Sequence, residues 1–265
     1  MSFLAELKKE ATSRRASLDK RYKVAMPDLT SLPLTQPLRQ RQRPFVYNFT
    51  PPASAVAAAA SAAPRPSLTI VQANNVGSTG GALWTAGLAL SRYLEHAHAV
   101  SLRGQRVLEL GCGTGLAGLV AAALGANAVL TDIASVLPLL QSNVDCNAAA
   151  VAAGGGTAEV AELTWGTTPI AVDYGASFDL IIAADVIYEP AHVPLLLGVL
   201  QELLDGGAPA ALVGFDRRGR HGLKTFLAEA SERFVVEKIG SFAMHPDVVN
   251  FKHFGLVRLT SSTSR

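Results

Sequence analysis

The run Arg106-Val-Leu-Glu-Leu-Gly-Cys-Gly-Thr-Gly115, followed seventeen residues later by Asp132 at the end of Ala128-Val-Leu-Thr-Asp132, constrains this chain more than any other segment. An apolar strand is expected to pass into three alternating glycines and then into a small-residue helix over Leu116–Leu124. Gly111, Gly113 and Gly115 have no Cβ, so the backbone can turn sharply and come close to a ligand. A second apolar strand brings one carboxylate beside that turn. Such a strand–turn–helix–strand unit grips a nucleoside-bearing group, with backbone N–H groups at the helix start and an acid for the ribose hydroxyls.

The residues around the glycines narrow the choice of that group. A dinucleotide fingerprint reads G-x-G-x-x-G, its third glycine allowing close helix–strand packing at a pyrophosphate. Here Leu116 stands where that glycine would fall. Two residues before the first glycine, Glu109 places an acid in an apolar strand. A carboxylate there repels a pyrophosphate and attracts an ammonium group. S-adenosylmethionine carries that ammonium, a ribose and no phosphate. It is the cofactor expected on Gly111, Cys112, Gly113, Thr114 and Gly115, with Glu109 beneath them and Asp132 and Ile133 on the second strand.

The rest of the chain supports a sheet built around this unit. Strand-like segments at Gln105–Leu110, Ala128–Asp132, Ala158–Leu163, Phe178–Ala184 and Ala208–Phe215 alternate with helix-like ones. The helices are expected near Trp84 to His96 and over Leu116–Leu124, Leu137–Ala149, His192–Leu204 and His221–Arg233. Alternation of this kind implies a parallel sheet covered on both faces. Phe234–Ile239 and His253–Thr260 follow as strands with no helix between them, so that last pair should be antiparallel. The fold class is therefore α/β: a doubly wound, seven-stranded, mostly parallel Rossmann-like sheet, which binds ligands at its strand C-termini.

Ahead of that sheet, residues 1–67 are rich in proline and alanine and end in Pro64-Arg-Pro66. They hold eleven Lys and Arg against four acids, whereas the remaining residues hold twelve bases and seventeen acids. We expect a loosely packed basic extension over 1–67 and a catalytic domain over 68–265, with order beginning at the short strand Leu68–Val71. No apolar run reaches the ~18 residues that span a bilayer, so no membrane partner is expected. Two isolated cysteines, Cys112 and Cys146, point to a reducing compartment, taken as the cytoplasm with the nucleus as second choice. The six histidines are scattered and give no metal site. A monomer is expected.

Four further pieces should meet at the same rim. Trp84 opens a helix. Trp165, in Leu163-Thr-Trp-Gly166, ends a strand where a flat indole can lie against an adenine. Ala184, Asp185 and Tyr188 close the apolar run of the fourth strand as Ala183-Ala-Asp-Val-Ile-Tyr188. An acid there is costly unless paired or solvated, so Asp185 is either a substrate group for a lysine ammonium or a helix cap. Together these motifs resemble the seven-β-strand methyltransferases, and among them methyltransferase family 16, the methyltransferase-like 21 type of protein lysine methyltransferases. The resemblance covers residues 68–260 or so. It implies cofactor contact at Trp84, Glu109, Gly111, Gly113, Asp132, Trp165 and Ala184, and a substrate role for Asp185 and Tyr188 in the D-x-x-Y pattern. It also implies a protein substrate of the chaperone or elongation-factor kind. Nucleic acid is the weaker partner, because Val186 and Ile187 stand where amino-methylating nucleic-acid enzymes carry two prolines. A fold that binds the cofactor without turnover is the remaining alternative.

Overall fold

The structure is a computed structural model that describes residues 44–50, 65–73, 76, 79–167, 178–217, 222–240, 248 and 253–262. Seven strands form one sheet: β3 (Arg106–Leu110), β4 (Asn127–Asp132), β5 (Thr157–Glu162), β6 (Leu180–Ala184), β7 (Ala211–Asp216), β8 (Phe234–Lys238) and β9 (Phe254–Ser261). Their spatial order is β5-β4-β3-β6-β7-β9-β8. The first five strands in that order pair in parallel, and β9 runs antiparallel to both β7 and β8. This is the doubly wound sheet expected from the alternation, including the reversed final pair.

Helices cover both faces. Helices α1 (Thr85–Ala97), α2 (Leu116–Ala123) and α3 (Leu137–Gly154) share one apolar cluster with Val107, Leu130 and Ile182. Helices α4 (Val193–Asp205) and α5 (Leu223–Arg233) share the other with Leu108, Leu110, Ile181 and Val213. Alternate residues of a strand face opposite sides. Val107 therefore faces α2 while Leu108 faces α4, and Glu109 falls on the α2 side.

Boundaries follow local chemistry. Proline lies in the first turn of α3 and of α4, where its missing N–H costs nothing. Helix α3 runs past the expected end at Ala149 because alanines continue the helix as far as Gly155, whose φ of 82° closes it in the left-handed region. The segment 218–221 and most of the Ser241–Asn250 insertion lie outside the described residues.

One element falls inside the stretch expected to pack loosely. β1 (Phe45–Tyr47) pairs antiparallel with β2 (Leu68–Ile70) in a separate two-stranded sheet. Tyr47 is fully buried, and its hydroxyl donates to Glu95 Oε2 at 2.6 Å. Glu95 also accepts the Thr50 N–H and the Arg92 guanidinium, which stacks 4.2 Å over the Tyr47 ring. Leaving such a hydroxyl unpaired would cost ~1–3 kcal/mol, so this polar cluster holds β1 against α1. Residues 1–43 and 51–64 of the expected extension are outside the described residues.

Candidate active site

The C-terminal ends of β3, β4, β5 and β6 open into one pocket. Its frame is the turn after β3. Gly111 and Gly113 have φ of 62° and 56°, a region that L side chains rarely adopt. A Cβ on Gly113 would lie 3.0 Å from the Gly80 carbonyl oxygen, and one on Gly111 would meet Val186 at 2.9 Å and the Trp165 ring at 3.2 Å. Gly113 is thus required by the close approach of the Gly80 backbone, and Gly111 by the Val186 and Trp165 side chains.

Gly115 serves another purpose. Its φ is 80°, and a Cβ there would point at Leu140 and Leu130 in the core rather than into the pocket. Gly115 stands just before α2, and its lack of a side chain lets Leu130 and Leu140 pack against the start of that helix. Cys112 and Thr114 do line the pocket. Burial, with Glu109 and Asp132 nearby, pushes the Cys112 thiol up, so the sulfur stays protonated and plays the part of a small apolar group.

Two carboxylates lie on this side. Asp132 Oδ2 accepts the Gly113 N–H at 2.8 Å, and Oδ1 accepts the N–H of Ile133 at 2.8 Å. Burial raises its pKa, and these two backbone bonds oppose the rise. Glu109 is buried at 3% exposure, and its Oε2 accepts the Gly118 N–H from the first half of α2 at 2.8 Å. Desolvation lifts its pKa to about 8, against that one stabilising hydrogen bond, and the charge of Asp132 adds to the rise. Glu109 is thus poised to lose a proton when a positive charge arrives. Among the described residues that line the pocket, Glu109, Asp132 and Asp185 are acids and none is a lysine or arginine, a lining that suits a cation.

The β6 side is built differently. Asp185 is the one non-glycine residue among those described with positive φ, at 59°. It is 7% exposed, and Oδ2 accepts the Ala86 N–H at 3.1 Å while Oδ1 accepts the Asp216 N–H at 3.2 Å. Asp185 thus bonds to the first turn of a helix, but that helix is α1 rather than the one that follows it in sequence, and the residue also lines the pocket. Capping α1 fixes Trp84, the residue just before the helix, whose Nε1 donates to the Thr79 carbonyl at 3.0 Å. Tyr188 is 39% exposed at the mouth and meets the His192 ring edge-on at 6.2 Å.

Trp84, Ile133, Trp165 and Ala184 also line the pocket, as expected. The sequence reading missed Thr79, Gly80, Val186, His192 and Leu195. His192 and Leu195 sit seven and ten residues beyond Asp185, in the turn Pro190–His192 and the first turn of α4. The placement of that turn over a strand end was the signal available.

The donor set fits S-adenosylmethionine. Asp132, at the end of β4, has the acceptor oxygens that ribose hydroxyls need, and Glu109 offers a buried carboxylate to a cation.

A family model described as Lysine methyltransferase matches residues 62–233. The protein N-lysine methyltransferase METTL21A of Danio rerio is 38% identical over 161 residues, 59% of this chain and 69% of that one. The EEF1A lysine methyltransferase 3 of Mus musculus is 36% identical over 144 residues, 54% of this chain and 59% of that one. Among solved structures, the T. thermophilus 16S rRNA N2 G1207 methyltransferase RsmC, in complex with AdoMet and guanosine, superposes with a TM-score of 0.53 at 16% identity. That match covers 83% of this chain and 50% of RsmC, and it bears on the fold alone.

Proposed function

This chain belongs to the lysine methyltransferase family, and from that premise we propose that it methylates a lysine side chain of a protein. S-adenosylmethionine is the methyl donor, and when bound it supplies an electrophilic methyl group on a sulfonium. The residues of the chain do the rest. Gly111, Gly113 and Asp132 orient the donor, Trp165 covers it, and Glu109 balances its positive charge from below. Asp185 and Tyr188 stand on the acceptor side of the pocket and hold the incoming amine. A lysine is charged at neutral pH, with a pKa near ~10.4, and must shed a proton before it can attack. Burial of the lysine beside a second positive charge favours that loss, and the open mouth at Tyr188 lets the proton leave through water.

The observation that supports this reading is a pocket lined by three carboxylates, Glu109, Asp132 and Asp185, and, among the described residues, by no lysine or arginine. It suits a cationic donor and a cationic acceptor at once. A translation elongation factor is the first substrate to test, since one relative is an EEF1A methyltransferase. We place the activity in the cytoplasm, or in the nucleus as the second choice, where free thiols such as those of Cys112 and Cys146 stay reduced. Among the described residues no helix is long and apolar enough to cross a membrane.

The test is incubation of the full chain with cell lysate and methyl-labelled S-adenosylmethionine. Methyllysine in a protein band supports the reading; label confined to nucleic acid, or none at all, overturns it.

A further inference from the structure

Behind the glycine turn, α3 carries two buried asparagines one turn apart, Asn143 and Asn147. Both face the edge of β2 that β1 leaves open. The Thr69 N–H donates to Asn147 Oδ1 at 2.8 Å, and Asn147 Nδ2 donates to the Thr69 carbonyl at 2.8 Å. Asn143 repeats the pattern on Val71, at 2.8 and 3.1 Å. The spacing explains the match: four helical residues rise ~6 Å and two strand residues ~6.7 Å, so side chains four apart reach backbone groups two apart. The two amides act as a surrogate strand.

Their remaining bonds differ. Asn147 spends its other proton within α3, on the Asn143 carbonyl at 2.7 Å. Asn143 Nδ2 instead donates to the carbonyl of Thr114 at 2.9 Å, in the turn that frames the pocket. Three partners fix the orientation of that amide, because a flipped group would aim its oxygen at two carbonyls. The turn needs such an outside tether. Three of its five residues are glycines in the left-handed region, which restrict the backbone least and lose most freedom on ordering.

We infer that Asn143 is a positioning residue for the methyl donor: by holding the Thr114 carbonyl to β2 it makes the β1–β2 pair part of the frame of the cofactor turn. The inference rests on the reading of that turn as the cofactor cradle. Asn147 is its internal control, with the same two bonds to β2 and none to the turn.

The experiment compares Asn143→Ala and Asn147→Ala in the full chain, by melting temperature, calorimetric titration with S-adenosylmethionine, and the split between kcat and KM. Both variants should melt at similarly lowered temperatures. Only Asn143→Ala should weaken donor binding, by about tenfold, with kcat at saturating donor within about twofold of the unchanged chain. Asn143→Asp keeps the acceptor for the Val71 N–H and loses both donors, so it should show the same loss of affinity and serves where the alanine variant does not fold. Unchanged affinity in the Asn143 variants, or an equal loss in Asn147→Ala, overturns the inference and leaves the methyl-donor reading standing. An unaltered chain that binds no S-adenosylmethionine overturns both.

Discussion

Around β3 and β4 the pocket is made of backbone: glycines carry the left-handed turn, and carboxylates accept N–H bonds from the turn and from α2. Around β6 the left-handed residue is Asp185, a side-chain-bearing acid that joins the starts and ends of other elements through Ala86 and Asp216. A conformation that a glycine takes freely costs an L residue ~1–2 kcal/mol. The β3–β4 half thus carries its left-handed turn on glycine alone, whereas the β6 half stores strain at one residue, with Tyr188 exposed at the mouth. Strain kept where the surroundings over-determine it marks a residue whose direction matters more than its comfort.

The contrast can be broken most forcefully at Asp185. Asp185→Ala should cut methylation by about 10²-fold or more, the scale of a misplaced reacting group, and lower the melting temperature by freeing α1. Donor affinity should stay within a few-fold by calorimetry; a loss of affinity as large as the loss of rate would merge the two halves into one. Asp185→Asn suits the left-handed region but removes the charge and one of the two acceptors, leaving a single oxygen for the Ala86 and Asp216 N–H groups; retained turnover there would show that the charge is dispensable.

On the cofactor side, Asp132→Ala should weaken donor binding by ~1.5–3 kcal/mol, the value of hydrogen bonds to a charged group, while sparing kcat at saturation. Unchanged affinity in a titration would mean the ribose is held elsewhere. Gly113→Ala comes next, with ~1–2 kcal/mol of left-handed strain and a Cβ pressed on the Gly80 oxygen. About tenfold weaker binding is the expected reading. A normal affinity would show the turn to be adjustable.

The smallest effect near neutral pH belongs to Glu109. In the ligand-free protein its pKa stands near 8, above the ordinary 4.5. The folded chain therefore holds this proton more tightly than the unfolded chain. Its contribution to stability is complete below pH 4.5 and is lost as pH rises through about 8. Cofactor binding runs the other way, since a cation favours the carboxylate. Affinity for S-adenosylmethionine should rise with pH from about 6 to 8, with proton release seen as a buffer-dependent heat of binding. Glu109→Gln should flatten that dependence, and a dependence that survives would move the proton to Asp132.

Local patterns carried much of this architecture. The glycine turn, the acid at the end of β4 and the antiparallel pairing of β8 with β9 could be read because each depends on residues near in sequence. Tyr47, Asn143 and the capping of α1 by Asp185 could not. Each makes a side-chain bond to groups 48, 72 and 99 residues away, and hydrophobic periodicity is silent about such distances. The packing of Gly115 against Leu130 and Leu140 was hidden for a related reason: a left-handed glycine looks the same in sequence whatever its open side meets.

The placement of β9 between β7 and β8 has a bearing on synthesis. β8 leaves the ribosome first, yet among the described residues its sheet partner is β9 alone. Until Phe254–Ser261 has emerged and slid in beside β7, β8 has nothing to dock on, and β7 presents a bare edge. The pocket, whose walls come from the ends of β3 to β6, from Thr79 to Gly87 and from the start of α4, all ahead of β8 in the chain, can assemble beforehand. During translation this enzyme should reach a stage at which it can grip its donor while its outer sheet margin is still unsealed and open to chaperones.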